Sequence, residues 1–182
     1  MDRLFVALPL PETVADACVR LSTGLQGASW MRPGNHHLTL RFIGEVDGAT
    51  ARNVADALAD VNAAPFTLAL RDIGVFGERR KARVLWAGVT DSPPLLALQA
   101  RIERVLVQLG LEPERRKYAP HVTLARLKAP APARLVRYLE DHAGFMTTAW
   151  TVDCFQLYSS FLAHEGAIHR VEAEYPLDLR VR

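Results

Sequence analysis

Apolar and polar positions along this chain follow two rhythms in turn, one of period two and one near 3.6. Leu4-Phe5-Val6-Ala7-Leu8 is a short apolar run stopped by Pro9 and Pro11, which reads as a buried strand. Pro11-Glu12 suits the first turn of a helix, and Val14, Ala17, Cys18, Leu21 and Leu25 recur at helical spacing until Gly24 and Gly27 end it. A short strand at 29–32, a turn at Pro33-Gly34-Asn35 and a strand from about 36 to 43 follow. Next come a helix over about 49–61, with Val54, Ala57, Leu58 and Val61 inward, and an alternating strand at 66–70.

The same order then returns. The pattern predicts a strand at 83–89, a helix with Leu95, Leu98, Ile102, Val105 and Leu109 inward, and a strand from His121 to about 127. Pro130 and Pro132 open a fourth helix with Leu135, Val136 and Leu139 inward, and 151–158 alternates as a strand. A last extended segment covers about 168–179. The offset is 80 between Phe5 and Leu85 and 84 between Phe66 and Trp150, nearly constant over five elements, as an internal duplication requires. The expected organisation is a single bilobal domain over 1–182, with repeats at roughly 4–77 and 84–161. Its class is α+β, two pseudo-symmetric halves of mainly antiparallel sheet flanked by helices around a central cleft.

The repeat carries chemistry at one place. His37-Leu38-Thr39-Leu40 is written again as His121-Val122-Thr123-Leu124, with the histidines also 84 positions apart. In a strand, residues i and i+2 share a face, so each copy offers an imidazole and a hydroxyl on one side and buries two apolar residues on the other. The two copies are expected to face each other across the cleft and to hold one phosphate. Imidazole has an ordinary pKa near 6.5, so one neutral and one protonated ring can divide the removal and delivery of a proton. Thr39 and Thr123 can donate to the nonbridging oxygens. Strict alternation puts Arg126 on the wrong face unless a bulge re-aims it, and makes Arg41 a second, weaker anion candidate. His36 points away from His37, and His142, His164 and His169 have no repeat partner, so core or surface roles are expected for them.

Composition narrows the partners. The net charge of +2 does not by itself imply nonspecific nucleic-acid binding, but Arg79-Arg80-Lys81 with Arg83, and Arg115-Arg116-Lys117, cluster near the motif strands and point to a polyanion. No stretch approaches the roughly 18 apolar residues of a membrane span, and the first residues do not read as a signal peptide. The two cysteines, Cys18 and Cys154, sit within apolar patterns and read as buried free thiols of a cytoplasmic protein. Neither motif has acidic or histidine neighbours at metal-ligand spacing, so no metal and no cofactor is expected.

With these residues in view, the chain resembles the two-histidine (2H) phosphoesterase superfamily, and within it the bacterial RNA 2′,3′-cyclic phosphodiesterases, also called 2′-5′ RNA ligases. The resemblance runs through Trp30-Met31-Arg32-Pro33, His37 to Glu45, Val84 to Val89 and Pro120 to Arg126. It implies that His37 is the proton donor and His121 the proton acceptor, with Thr39, Thr123 and Arg126 on the phosphate. The implied reaction is metal-independent opening of a terminal 2′,3′-cyclic phosphate to a 2′-phosphate, on RNA ends or cyclic nucleotides. Joining of tRNA halves through a 2′-5′ bond is implied for some members. A monomer free of membranes is expected, and the alternative is an RNA-end-binding module of the same fold with little turnover. His169 departs from the resemblance, standing where an aromatic is common; Tyr118 and Phe42 remain near the motifs to stack on a base.

Overall fold

Among the described residues, ten strands and four helices form in the order β1 (Asp2–Pro9), α1 (Glu12–Arg20), β2 (Ala28–Trp30), β3 (His37–Val46), α2 (Gly48–Leu58), β4 (Phe66–Leu68), β5 (Leu70–Phe76), β6 (Val84–Val89), α3 (Pro93–Gln108), β7 (His121–Leu127), α4 (Pro132–Asp141), β8 (Trp150–Val152), β9 (Cys154–Ala163) and β10 (Gly166–Pro176). This is a computed structural model, and it describes residues 2–78, 81–128, 130–163 and 166–178. Arg79, Arg80, His164 and the end of the last expected strand at Leu179 lie outside the described residues.

Local chemistry explains most helix boundaries. Asp47 caps α2 by accepting from the Thr50 N–H at 2.8 Å, and Ser92 caps α3 by accepting from the Leu95 N–H at 3.3 Å, with Pro93 and Pro94 in its first turn. The first helix is shorter than its pattern: it closes at Arg20, and Leu21 and Leu25 are buried from the turns that follow. Two expected strands each divide in two. The first breaks at Ala69, between β4 and β5, and the second at Asp153, between β8 and β9. At each break the chain leaves a two-stranded ribbon, β4 on β8, and enters the main sheet.

The main sheet runs β10-β9-β1-β3-β7-β6-β5, with β2 beside β7, and every pairing among the described strands is antiparallel. At its middle Leu38 pairs with Val122, and in the small ribbon Thr67 pairs with Thr151. Each of those residues meets its own counterpart in the other repeat, as a two-fold relation demands. The last strand of each repeat crosses over: β5 lies on β6, and β9 lies on β1. Register also refines the repeat, since Phe5 opposes Phe42 as Val84, not Leu85, opposes Arg126.

The two motif strands are therefore neighbours in one sheet rather than facing walls. They share the Leu38–Val122 pair and then part, and β2 takes over the edge of β7 at Ala28–Leu127, Ser29–Arg126 and Trp30–Ala125. Leu38, Leu40, Val122 and Leu124 are buried in the core with Leu4, Val6 and Leu8 of β1. Each fully buried side chain of this kind contributes about 1.5–3 kcal/mol. A register slip of one residue would expose these four and push both histidines into the core, so the apolar partners lock the polar face in place.

The β10 half of the sheet curls over. The Asn35 side-chain amide, just before β3, donates to the Ala167 carbonyl of β10 at 2.9 Å, although β1 and β9 separate those strands in the sheet. No described helix is long and apolar enough to cross a membrane, and both cysteines are free, Cys18 buried and Cys154 half-buried.

Candidate active site

Both motif histidines are held in the same way. His37 Nδ1 lies 2.8 Å from the Asn35 carbonyl and His121 Nδ1 lies 2.7 Å from the Ala119 carbonyl, each two residues back along the chain. A carbonyl can only accept, so each ring carries its proton on Nδ1 and leaves Nε2 for chemistry. Continuing the central register by one residue brings His37 opposite Thr123 and Thr39 opposite His121, so one imidazole–hydroxyl pair from each repeat shares a face.

A bulge decides which arginine joins them. On β6, Leu85 pairs with Ala125 and Trp86 with Thr123, which leaves Leu124 as an extra residue on β7. Leu124 and Ala125 are consequently both buried, and the alternation restarts with Arg126 exposed on the His121 and Thr123 face. The same slip occurs on β3, where Val6 pairs with Arg41 and Ala7 with Thr39, leaving Leu40 as the extra residue. Phe42 thus takes the place on β3 that Arg126 takes on β7, and it is 61% exposed. Arg41 is turned away. Its Nε donates to Glu103 Oε2 at 2.5 Å and its Nη2 to the Glu112 carbonyl at 2.5 Å, with the side chain only 9% exposed. Arg41 is a structural cation, contrary to its expected second role on an anion, because the bulge reversed its face.

The rings around the two histidines differ. His37 packs against Phe5 at 4.8 Å between centroids, Tyr158 at 6.0 Å and His169 at 5.3 Å, the last perpendicular to it. His121 meets Phe76 at 4.7 Å, edge to face. Burial pulls His37 down to about 4, the His169 ring adds to this, and the Asn35 hydrogen bond works against it. His121 is also lowered by burial, partly opposed by its bond to Ala119. Burial thus favours the neutral form of both rings in the free protein. Trp86, opposite Thr123, lies flat because its neighbour is Gly74: a Cβ there would sit 2.4 Å from the indole. Tyr118 is half-buried, with its hydroxyl on the Thr39 carbonyl at 3.0 Å, which braces the first motif strand.

His36 is buried, as its expected structural role requires, and His142 bonds the Tyr138 carbonyl at the end of α4. His169 is half-buried. It had no repeat partner and was expected in the core or on the surface, and it stands against His37. Sequence spacing carries no signal for this, because the contact depends on the curl that folds β10 back over β3. Among the described residues, no group of three or more His, Cys, Asp or Glu side chains is close enough to hold a metal ion.

Comparison with known proteins agrees with this geometry. Residues 29–160 match the 2′-5′ RNA ligase superfamily. A protein of Aeropyrum pernix named RNA 2′,3′-cyclic phosphodiesterase is 35% identical over 139 residues, covering 75% of this chain and 78% of that protein. One of the same name from Thermotoga maritima is 32% identical over 175 residues, covering 93% and 92%. The crystal structure of TT0787 of Thermus thermophilus superposes with a TM-score of 0.79 at 29% identity, covering 96% of this chain and 97% of that one. Escherichia coli LigT, solved with 3′-AMP, shares the fold at a TM-score of 0.79 and 24% identity, covering 97% of this chain and 98% of that one. Matched over most of its length in both sequence and fold, the chain belongs to the 2′-5′ RNA ligase superfamily.

Proposed function

We propose that this chain hydrolyses RNA 2′,3′-cyclic phosphate ends to 2′-phosphomonoesters without a metal, with His37 and His121 as its acid–base pair. The observation that carries the reading is the matched pair of imidazoles, each with Nδ1 tied to a backbone carbonyl and Nε2 left over, beside two threonines. His121 Nε2 takes a proton from water as the water oxygen bonds to phosphorus. The bond from phosphorus to the 3′ oxygen breaks, and His37, an imidazolium once it has taken a proton from solvent as the substrate anion binds, delivers its Nε2 proton to that oxygen, leaving a 2′-phosphate and a 3′-hydroxyl. Thr39, Thr123 and Arg126 hold the nonbridging oxygens and stabilise their growing charge. The depressed basicity of His37 suits a donor, since a weakly held proton is readily given. Phe42, half out of the sheet beside this face, is the candidate platform for a base, a contact worth about 1–3 kcal/mol.

Both histidines come from one chain and one continuous sheet, so a monomer with a single bilobal fold is a complete catalyst in this reading. Cytoplasmic RNA ends, tRNA fragments among them, are its proposed substrates. The same groups run in reverse would join a cyclic-phosphate end to a 5′-hydroxyl through a 2′-5′ bond. The deciding experiment is product analysis on an oligonucleotide ending in a 2′,3′-cyclic phosphate, in excess EDTA. A 2′-phosphate product is expected. A 3′-phosphate would reverse the donor and acceptor roles, and tight, salt-dependent binding with no turnover would make the chain an end-binding module.

The pH profile offers a second check. kcat/KM reports the free enzyme, where both histidines titrate below the ordinary value of about 6.5. Its bell is therefore expected on the acid side of neutrality. The kcat bell should lie at higher pH, because the bound phosphodiester's negative charge favours the protonated imidazole. Steady-state rates on a cyclic nucleotide across pH 4–9 test this, and a kcat/KM bell centred above pH 7 would contradict it.

A further inference from the structure

The two halves of the site differ most where β10 returns, and among the described strands β10 has no counterpart beyond β5 at the opposite edge of the sheet. That strand brings His169 to His37. The His169 ring stands at 90° to His37 at 5.3 Å and at 78° to Phe5 at 5.0 Å. Phe5 lies parallel to Tyr158 within 5°, so Tyr158, Phe5 and His37 form a loosely aligned bank of rings with His169 set across it. The backbone fixes this placement twice, through the long β9–β10 ladder and through the bond from Asn35 to Ala167. Asn35 also supplies the carbonyl that holds His37 Nδ1, so one residue ties both the ring and the strand that covers it.

His169 Nδ1 is buried with no hydrogen-bond partner. An unpaired buried nitrogen is unfavourable, and a phenyl ring would pack the same space without it. Its retention beside a proton-transfer group calls for a chemical reason. We propose that His169 is a positioning residue for His37, holding that ring edge to face in its reactive orientation. The proposal rests on the two-histidine reading above. It makes the pair unequal: His37 is boxed by three rings, one of them an imidazole, whereas His121 meets Phe76 alone among the described ring contacts. The titratable groups that face His37 are His169 from β10, Tyr158 from β9, His121 from β7 and His36 beside it in the chain. Tyr158 is itself tied through Gln156 to Glu174. Two imidazoles at this distance repel when both are protonated, so a charged His169 disfavours charge on His37, and a phenyl ring cannot.

The test compares His169→Ala and His169→Phe by steady-state kinetics on a 2′,3′-cyclic nucleotide and by NMR titration of the His37 imidazole. For His169→Ala, kcat is expected to fall by between about 10- and 10²-fold while KM stays within about twofold, as for a catalytic group left loosely oriented. His169→Phe is expected to restore most of kcat, and to move both the acid limb of the kcat/KM profile and the His37 midpoint upward. An unchanged kcat in His169→Ala, with an unmoved His37 midpoint in His169→Phe, overturns the proposal. So does a rise in KM alone in both variants, which would make His169 a substrate contact. Should His169→Ala fail to fold, the midpoint in His169→Phe still decides. A wild-type protein without turnover, but with a His37 midpoint that rises in His169→Phe, would sink the phosphodiesterase reading and leave the positioning contact standing.

Discussion

Replacing His121 or His37 by alanine is expected to lower kcat on a 2′,3′-cyclic nucleotide by between about 10²- and 10⁴-fold, the range for one general acid or base. KM should change little, because in the proposed mechanism the threonines and Arg126 would still hold the phosphate. The double variant should be scarcely worse than either single one, since the pair acts as a unit and its losses are not additive. Structure gives a reason to expect folding to survive. Each ring makes one hydrogen bond, to a carbonyl in its own connecting segment, and the apolar residues that lock the register point the other way. Single-turnover rates and thermal melts on the same preparations separate the two effects. A rate within about tenfold of wild type for either variant, with an unchanged melt, would remove the two-histidine mechanism, because it falls short of the smallest contribution expected of such a group.

Arg41→Met should do the opposite, harming stability and sparing the site. The guanidinium is nearly enclosed and bridges Glu103 on α3, the Phe42 carbonyl on its own strand and the Glu112 carbonyl in the segment that leads toward β7. Glu103 continues the network by accepting from the Glu114 N–H at 2.8 Å. Removing one partner of a buried ion pair costs about 3–5 kcal/mol, and the 22% exposure of Glu103 puts this case at the lower end. At about 3 kcal/mol, a chain of this size should lose about 6–12 °C in Tm. Replacing Glu103 by leucine as well should recover part of the loss, since no buried carboxylate is then left uncompensated. KM for the cyclic nucleotide is expected within about twofold of wild type, as for a residue that makes no contact with substrate. An unchanged Tm with a KM raised tenfold would return Arg41 to the phosphate.

The contrast between Arg41 and Arg126 shows how far the residues speak for themselves. Period-two alternation assigned His37, Thr39, His121 and Thr123 to one face, and the register keeps them there because both motif strands are regular as far as Thr39 and Thr123. One residue later each strand bulges, at Leu40 and at Leu124, and the faces of Arg41 and Arg126 reverse. The bulge was legible only as a possibility, since its cause is pairing with β1 and β6, remote in the chain. Helices were legible because caps and prolines are local, as at Asp47 and at Ser92 with Pro93. The strand at 70–76 was hidden by Asp72, at φ 60, and by glycines that break an apolar pattern, although Gly74 is there to admit the Trp86 ring. His169 was the least legible, because its position depends on the curvature of a four-strand half-sheet and not on any spacing.

The crossing of the last strand in each repeat has a consequence for how the chain reaches this fold. β1 pairs through Phe5 with Tyr158, so the opening strand waits for a partner about 150 residues away, and β5 completes itself only on the repeat that follows. Neither repeat holds all the edges of its own half-sheet, and neither can close as an autonomous unit. Contacts of such long sequence separation carry a large loop-closure cost before they are rewarded, which favours slow folding in a single late step. A protein that looks like two joined copies is thus bound to assemble as one, and a break between the copies would part β5 from β6 and β1 from β9, leaving unpaired sheet edges on both fragments.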